Sequence, residues 1–152
     1  LLRSFRATLG VGALLLIGMD RVKDRARLVA AYDDAQGITA AFNRNLLERI
    51  NRELGGTIPV EAFAHEARWV EDKSRIEMHL VARQDVVFEV CGRSFAFRRG
   101  ASIHTENSHK YTAASARLLL LAGGWTPVED WTDPAGDFAL LLARADPDRS
   151  AP

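Results

Sequence analysis

Cys91 is the single cysteine among 152 residues. It excludes an internal disulfide and any zinc centre built on several thiolates. Neither charge sign predominates, because 20 Lys and Arg balance 20 Asp and Glu. The excess positive charge of a nucleic-acid-binding module is therefore missing. No apolar run approaches the roughly 20 residues needed to cross a bilayer. Residues 9–19 come nearest, preceded by Arg3 and Arg6 in the manner of a secretory leader. A small-residue cleavage site should then follow, yet Asp20, Arg21, Val22 and Lys23 do. The run reads instead as a strand at residues 13–19 behind a helix at 1–9. The opening residue is Leu1 rather than Met, as in a fragment of a longer chain. No G-x-G-x-x-G, P-loop or G-x-S-x-G motif occurs. What remains is an ordinary globular composition, 47% apolar and 26% charged, which argues against disorder. A reducing, cytoplasmic setting is expected.

The apolar strand carries large side chains on both faces, as strands of a covered parallel α/β sheet do. It ends at Asp20, the edge where such sheets bind ligands. Two helices are predicted next, over 22–32 and 38–54. In the second, Ile38, Phe42, Leu46, Ile50 and Leu54 recur every four residues and Leu47 widens the stripe, predicting a buried face. Gly55-Gly56 ends that helix. The period then changes to two. Strands are predicted at 65–69, 75–81, 86–91, 94–97 and 103–108, with a hairpin turn at Gly92-Arg93. Thr112 is placed to cap a helix at 113–122, which Gly123-Gly124 stops. Strands at 126–132 and 138–144 are joined by the turn Asp133-Pro134-Ala135-Gly136 and should pair antiparallel. The polar tail from Asp146 is expected to fray.

Candidate chemistry concentrates in Ile103-His104-Thr105-Glu106-Asn107-Ser108-His109. Strict alternation would place His104, Glu106 and Ser108 on one face. A carboxylate beside a hydroxyl can read a ligand bearing N–H groups; the plainer reading is a solvated strand edge. A metal at His104 and Glu106, with His79, lacks a third ligand at defined spacing, so no metal is expected. Met78 belongs to an apolar face and reads as core or pocket wall. Tyr32 closes the first helix as a packing residue whose hydroxyl could donate to a carboxylate. His65 reads as a sheet residue, Cys91 as inert, and Trp69, Trp125 and Trp131 as core.

Several strings stand together in a characteristic order. They are Asp20-Arg21-Val22-Lys23-Asp24, then Ala31-Tyr32-Asp33-Asp34-Ala35-Gln36-Gly37-Ile38-Thr39-Ala40-Ala41-Phe42-Asn43-Arg44-Asn45-Leu46-Leu47. Arg75-Ile76-Glu77-Met78, His104-Thr105-Glu106-Asn107-Ser108 and Trp131-Thr132-Asp133-Pro134 complete them. This set resembles the C-terminal half of the histidine-specific, S-adenosylmethionine-dependent methyltransferases of ergothioneine biosynthesis.

The resemblance implies an α/β fold, the C-terminal part of a Rossmann-like methyltransferase sheet with an inserted helix-plus-antiparallel-sheet substrate-binding domain. It divides the chain into core at residues 1–20, substrate-binding insertion at 21–111, core again at 112–145 and a tail at 146–152. It implies transfer of three methyl groups from S-adenosylmethionine to the α-amine of L-histidine, giving hercynine. Tyr32 would bind the substrate carboxylate, Glu106 and Ser108 the imidazole, and Met78 the pocket wall. No catalytic residue and no cofactor-binding residue falls in this chain, because the family's cofactor loop corresponds to residues before Leu1. The chain alone is then expected to be inactive, with the N-terminal half as its missing partner and an exposed apolar flank. Alternatives are a methyltransferase acting on another amino acid, or a non-catalytic small-molecule-binding domain. No membrane partner is expected.

Overall fold

The computed structural model describes residues 1–147. In chain order the elements are α1 (Leu2–Leu9), β1 (Leu14–Asp20), α2 (Arg25–Tyr32), α3 (Ile38–Leu54), β2 (Phe63–Val70), β3 (Arg75–Ala82), β4 (Val86–Val90), β5 (Arg93–Phe97), β6 (Ser102–His109), α4 (Ala113–Ala122), β7 (Trp125–Thr132) and β8 (Phe138–Ala145). They form two compact units. One comprises Leu1–Lys23 and the chain from Lys110 onward; the other is Asp24–His109.

The first unit is built on a three-stranded sheet of order β1-β8-β7. β8 lies in the middle and runs antiparallel to both neighbours. Its alternate residues Ala139, Leu141, Ala143 and Ala145 are buried with Met19, Ala116, Leu120 and Trp125. The Trp125 indole N–H donates to the Leu2 carbonyl at 2.9 Å, which satisfies the one polar atom of the largest buried side chain. α4 starts where expected, in a capping box. Thr112 Oγ1 accepts from the Ser115 amide, and the Thr112 amide donates to Ser115 Oγ.

Three expectations change in this unit. β1 was expected in a covered parallel sheet; it pairs antiparallel with β8. Leu15, Ile17 and Met19 pack inward, while Leu14 and Leu16 are 59% and 60% exposed. Nothing among the described residues of the unit covers the face they share with Phe138 and Leu140, so hydrophobicity on both faces did not report burial on both. Trp131, expected as core, sits opposite Leu140 and is exposed with it, whereas Trp125 is fully buried. The tail does not fray at Asp146: its amide donates to the Gly124 carbonyl, its carbonyl accepts from Arg6, and its carboxylate accepts from Thr126. The rest of the expected tail, residues 148–152, lies outside the described residues.

Asp20 ends β1 between two lysines. Its carboxylate meets the fully buried ammonium of Lys110 at 2.6 Å and that of Lys23 at 2.8 Å. Burial pushes the Asp20 carboxyl up, but the bonds from Lys110 and then Lys23 outweigh it, so the group titrates below its ordinary 3.8.

In the second unit β2, β3 and β6 make an antiparallel sheet of that order, and β4 and β5 form a separate hairpin. Phe63, Leu80, Ala82, Val86 and Phe88 pack with Leu47 and Ile58 of the helical side. Phe63 meets the rings of Phe88 and Phe97 edge-on, at 6.3 and 5.8 Å. The hairpin turn falls at Cys91-Gly92, one residue before the expected Gly92-Arg93. Both turn residues have positive φ, 50° and 71°, as a two-residue hairpin turn requires.

The face of α3 is rotated from expectation. Its buried residues are Asn43 and Leu47, while Ile38 and Phe42 are 65% and 61% exposed and Leu46 and Leu54 also face out. Of the spacing-by-four stripe Ile50 packs on the core with Leu47, while its other members turn away from the sheet. A row containing an asparagine faces the sheet, because that asparagine has hydrogen-bond partners there.

Replacing Lys110 by Met should leave the part-exposed Asp20 carboxylate with its Lys23 ion pair and lower stability by about 1.5–3 kcal/mol, the worth of a hydrogen bond to a charged group, read by urea denaturation. The Asp20 pKa is depressed, so its contribution is complete above 3.8 and is lost as pH falls through the lower folded value. Lys110→Met should shrink that acid-side loss.

Candidate functional site

In β6 the side-chain alternation expected from the sequence is broken. Met78 pairs with Glu106 but His79 pairs with His104, so Thr105 is an unpaired extra residue, a β-bulge. Thr105 Oγ1 donates to the Met78 carbonyl at 3.0 Å and closes the bulge. Residues directly opposed in an antiparallel ladder share a face. Glu106 and Ser108 thus lie with Met78 and Ile76, and beyond the bulge Ile103 lies with Leu80. His104 is carried to the opposite face, which corrects its expected alignment with Glu106 and Ser108.

The face bearing Ile76, Met78 and Leu80 is the buried one, with Met78 3% exposed. α2 and α3 pack on this sheet. Tyr32, the last residue of α2, meets Ser108: the two hydroxyl oxygens are 2.6 Å apart. α2 begins at Asp24, whose carboxylate accepts the Arg27 amide at 3.0 Å. Beyond Tyr32 the chain turns through Asp34, whose carboxylate accepts the Ile38 and Thr39 amides at 3.0 and 2.8 Å. Those bonds, Thr39 first, pull the Asp34 carboxyl down to about 2. The start of α3 thereby receives an anion and two satisfied amides.

Beneath Tyr32 lies a buried polar chain. His65 Nε2 is 2.7 Å from the Tyr32 carbonyl oxygen, and His65 Nδ1 is 3.0 Å from Asn43 Nδ2. Asn43 is fully buried and also donates to the His79 carbonyl at 3.2 Å. Its Oδ1 has no partner among the described residues.

All four expected site residues fall within the second unit. Tyr32 and Ser108 touch, Met78 and Glu106 are in register, and the Glu106 side chain lies at the exposed end of the group. Sequence reasoning missed Asn43, and it took His65 for an ordinary sheet residue. A polar residue interrupting an apolar helix row was the available signal for Asn43. For the ring of His65 no local signal existed, because its partners are 22 and 33 residues away.

The other face of the sheet is a charged ladder. Arg68 grips Glu66 at 2.8 and 3.0 Å, and Arg75 grips Glu77. Glu77 also meets His79 Nε2 at 3.1 Å. Arg75, then His79, hold the Glu77 carboxyl down to about 2; burial, assisted by the charge of Arg68, pushes His79 below its ordinary 6.5. Glu77, His79 and His104 bring potential ligand atoms within 4.8 Å of one another. The two imidazoles, however, are stacked 4.8 Å apart at 17°. Their in-plane lone pairs lie in nearly parallel planes and do not converge on an ion. Elsewhere in the unit an apolar cavity of about 570 Å³ opens between α3 and the β4–β5 hairpin, lined by Leu46, Ile50, Leu54, Phe88, Phe95 and Phe97 among others.

The family described as histidine-specific methyltransferase, SAM-dependent, matches residues 1–145. The histidine N-alpha-methyltransferase of Mycolicibacterium smegmatis is 47% identical over 138 residues, covering 90% of this chain and 43% of that protein. Its counterpart from Mycobacterium tuberculosis is 48% identical over 134 residues, covering 87% and 42%. The ergothioneine biosynthesis protein 1 of Neurospora crassa is 31% identical over 148 residues, covering 95% and 16%. The chain thus spans less than half the length of these relatives. No helix among the described residues is long and apolar enough to cross a membrane.

The Asp34 contacts carry a pH signature. Its carboxyl carbon should titrate near 2 instead of 3.8 in a 13C NMR series. A depressed carboxyl stabilises fully above the unfolded value and loses its contribution as pH falls through the folded one, here between about 4 and 2. Asp34→Ala should remove that acid-side dependence and speed amide exchange at Ile38 and Thr39.

Proposed function

Since the chain belongs to the histidine-specific, S-adenosylmethionine-dependent methyltransferase family, we propose that its Asp24–His109 unit carries the amino-acid site of an L-histidine Nα-methyltransferase. The substrate-binding region comprises residues 21–111, between the flanking core segments 1–20 and 112–145 of a Rossmann-like sheet. Glu106 and Ser108 receive the imidazole, Tyr32 the carboxylate, and Met78 forms the wall between them. The product is hercynine. S-adenosylmethionine is the methyl donor; it is assigned to polypeptide corresponding to the length of the relatives that this chain does not match.

The observation that carries this reading is the 2.6 Å contact of the Tyr32 and Ser108 hydroxyls, with Glu106 in register beside buried Met78. Imidazole offers one N–H donor and one nitrogen acceptor. Glu106, with no hydrogen bond or ion pair to its carboxylate among the described residues, supplies an anionic acceptor, and the Ser108 hydroxyl can serve the other nitrogen. The Tyr32 hydroxyl then exchanges a neutral partner, Ser108, for a charged one, the ligand carboxylate, which is the stronger bond. None of these groups needs to move a proton. Methyl transfer asks for a neutral amine held in line with the methyl group, so the work of this unit is positioning. Selectivity follows from the same contacts, because a side chain without an N–H leaves Glu106 desolvated and unpaired.

Mixed with a polypeptide corresponding to the unmatched part of the M. smegmatis relative, and with S-adenosylmethionine, the chain should form hercynine, detected by mass spectrometry. Glu106→Gln should cut that rate at low histidine by about 10- to 100-fold. Methylation of other small amines with histidine ignored would overturn the substrate assignment.

A further inference from the structure

Tyr32 stands at the C-terminus of a helix of only two turns, Arg25–Tyr32. The carbonyls of a last helical turn have no partner inside the helix, and so short a helix is marginal by itself. At Asp33 the backbone leaves helical values, with φ −137° and ψ 62°. What receives the Tyr32 carbonyl is the ring of His65, reaching across from β2 at 2.7 Å.

The donor roles in this chain follow from the atoms involved. The His79 carbonyl can only accept, so the Asn43 atom 3.2 Å from it is the amide nitrogen, Nδ2. That nitrogen is an NH2, and its second hydrogen faces His65 Nδ1 at 3.0 Å. Nδ1 must therefore accept. The Tyr32 carbonyl can also only accept, so His65 Nε2 bears the proton. Both ends require one and the same ring tautomer. The opposite amide orientation would set Asn43 Oδ1 against the His79 carbonyl. In the observed orientation Oδ1 is buried without a partner among the described residues, a desolvation cost that an apolar residue would avoid. What the side chain supplies here is its NH2 group, which meets both partners.

We propose that Asn43 and His65 are positioning residues for the substrate-binding phenol. Asn43 fixes His65 as the Nε2–H tautomer, and His65 caps α2 at the Tyr32 carbonyl so that the Tyr32 hydroxyl reaches β6. The substrate part of this claim rests on the reading of Tyr32 as a ligand contact; the capping part does not.

The test uses the chain labelled with 15N-histidine. Long-range 1H–15N spectra should show the His65 ring, identified by its loss in His65→Gln, with Nε2 protonated and Nδ1 bare. An Nδ1–H or averaged ring would overturn the proposal. Asn43→Leu leaves the Tyr32 carbonyl alone to hold the ring, so an Nδ1–H form should become detectable beside Nε2–H; a ring unchanged from the parent would overturn the role of Asn43. His65→Leu should abolish the nuclear Overhauser contact between the Tyr32 ring and Ser108 and raise the calorimetric Kd for L-histidine about tenfold. His65→Gln retains a donor at the same chain position, so it should keep that contact and bind within about threefold of the parent. Equal effects of the two His65 variants, or none in either, would also overturn it. If neither the parent chain nor its mixture with the polypeptide of the unmatched part takes L-histidine, the substrate reading fails separately. The ring tautomer and the Tyr32–Ser108 contact still decide whether the cap positions the phenol.

Discussion

Thr105 has no partner across the β3–β6 ladder, and its hydroxyl is committed to the Met78 carbonyl. Strand side chains alternate strictly, so one extra residue reverses every face assignment beyond it. On one side of the bulge Glu106 and Ser108 join Met78 beneath the helices; on the other His104 leaves that face and stacks on His79. A regular β6 with the same Glu106 would turn His104 inward in place of Ile103, setting a polar ring against the apolar core of Leu80 and Phe63. The bulge lets a short polar segment supply one face with ligand-type groups while its neighbours keep the core closed.

The sequence disclosed elements better than orientations. Helices at both ends, the change to a period of two, the Thr112 cap and the antiparallel pairing of β7 with β8 were legible because each rests on local chemistry. The rotation of α3 was not. Its spacing-by-four row is more apolar than the row that is buried, and only the tertiary partners of Asn43 explain the choice. β1 and Trp131 failed for a related reason. Hydrophobicity reports an affinity for cover, not whether the described residues provide it. At the candidate site, Tyr32, Met78, Glu106 and Ser108 were named from family resemblance, while the bulge that sets their faces has no one-dimensional signature. His65 reads as an ordinary strand residue until its two ring partners are seen.

The sheet of the second unit separates its polar groups by function. On the outer face Glu66, Arg68, Arg75 and Glu77 neutralise one another in close pairs, which lowers both carboxyls and leaves little charge to recruit a ligand. On the inner face the polar groups are few and mostly uncharged: a phenol, a hydroxyl, an imidazole and an amide, with Glu106 at the exposed end. A neutral network tolerates burial at far lower desolvation cost than ions would. The exposed Glu106 carboxylate stays accessible to solvent, and in the proposed function it is the group that a ligand N–H would meet.

That division bears on how the proposed amino-acid site could be firm without being charged throughout. The deeper groups have fixed donor or acceptor roles: the Asn43 amide donates twice and His65 relays a donor to the Tyr32 carbonyl, while above them the Tyr32 hydroxyl meets Ser108. That last contact joins two groups that can each donate or accept. It is also the one beside Met78 and Glu106, where a ligand's carboxylate and ring would have to be accommodated. Rigid roles beneath and an adaptable pair above mean that a ligand can reverse the polarity of the Tyr32–Ser108 contact without disturbing the α2 cap. On the proposed reading, recognition would then draw its ordering cost chiefly from the Tyr32 and Ser108 hydroxyls and the exposed Glu106 carboxylate.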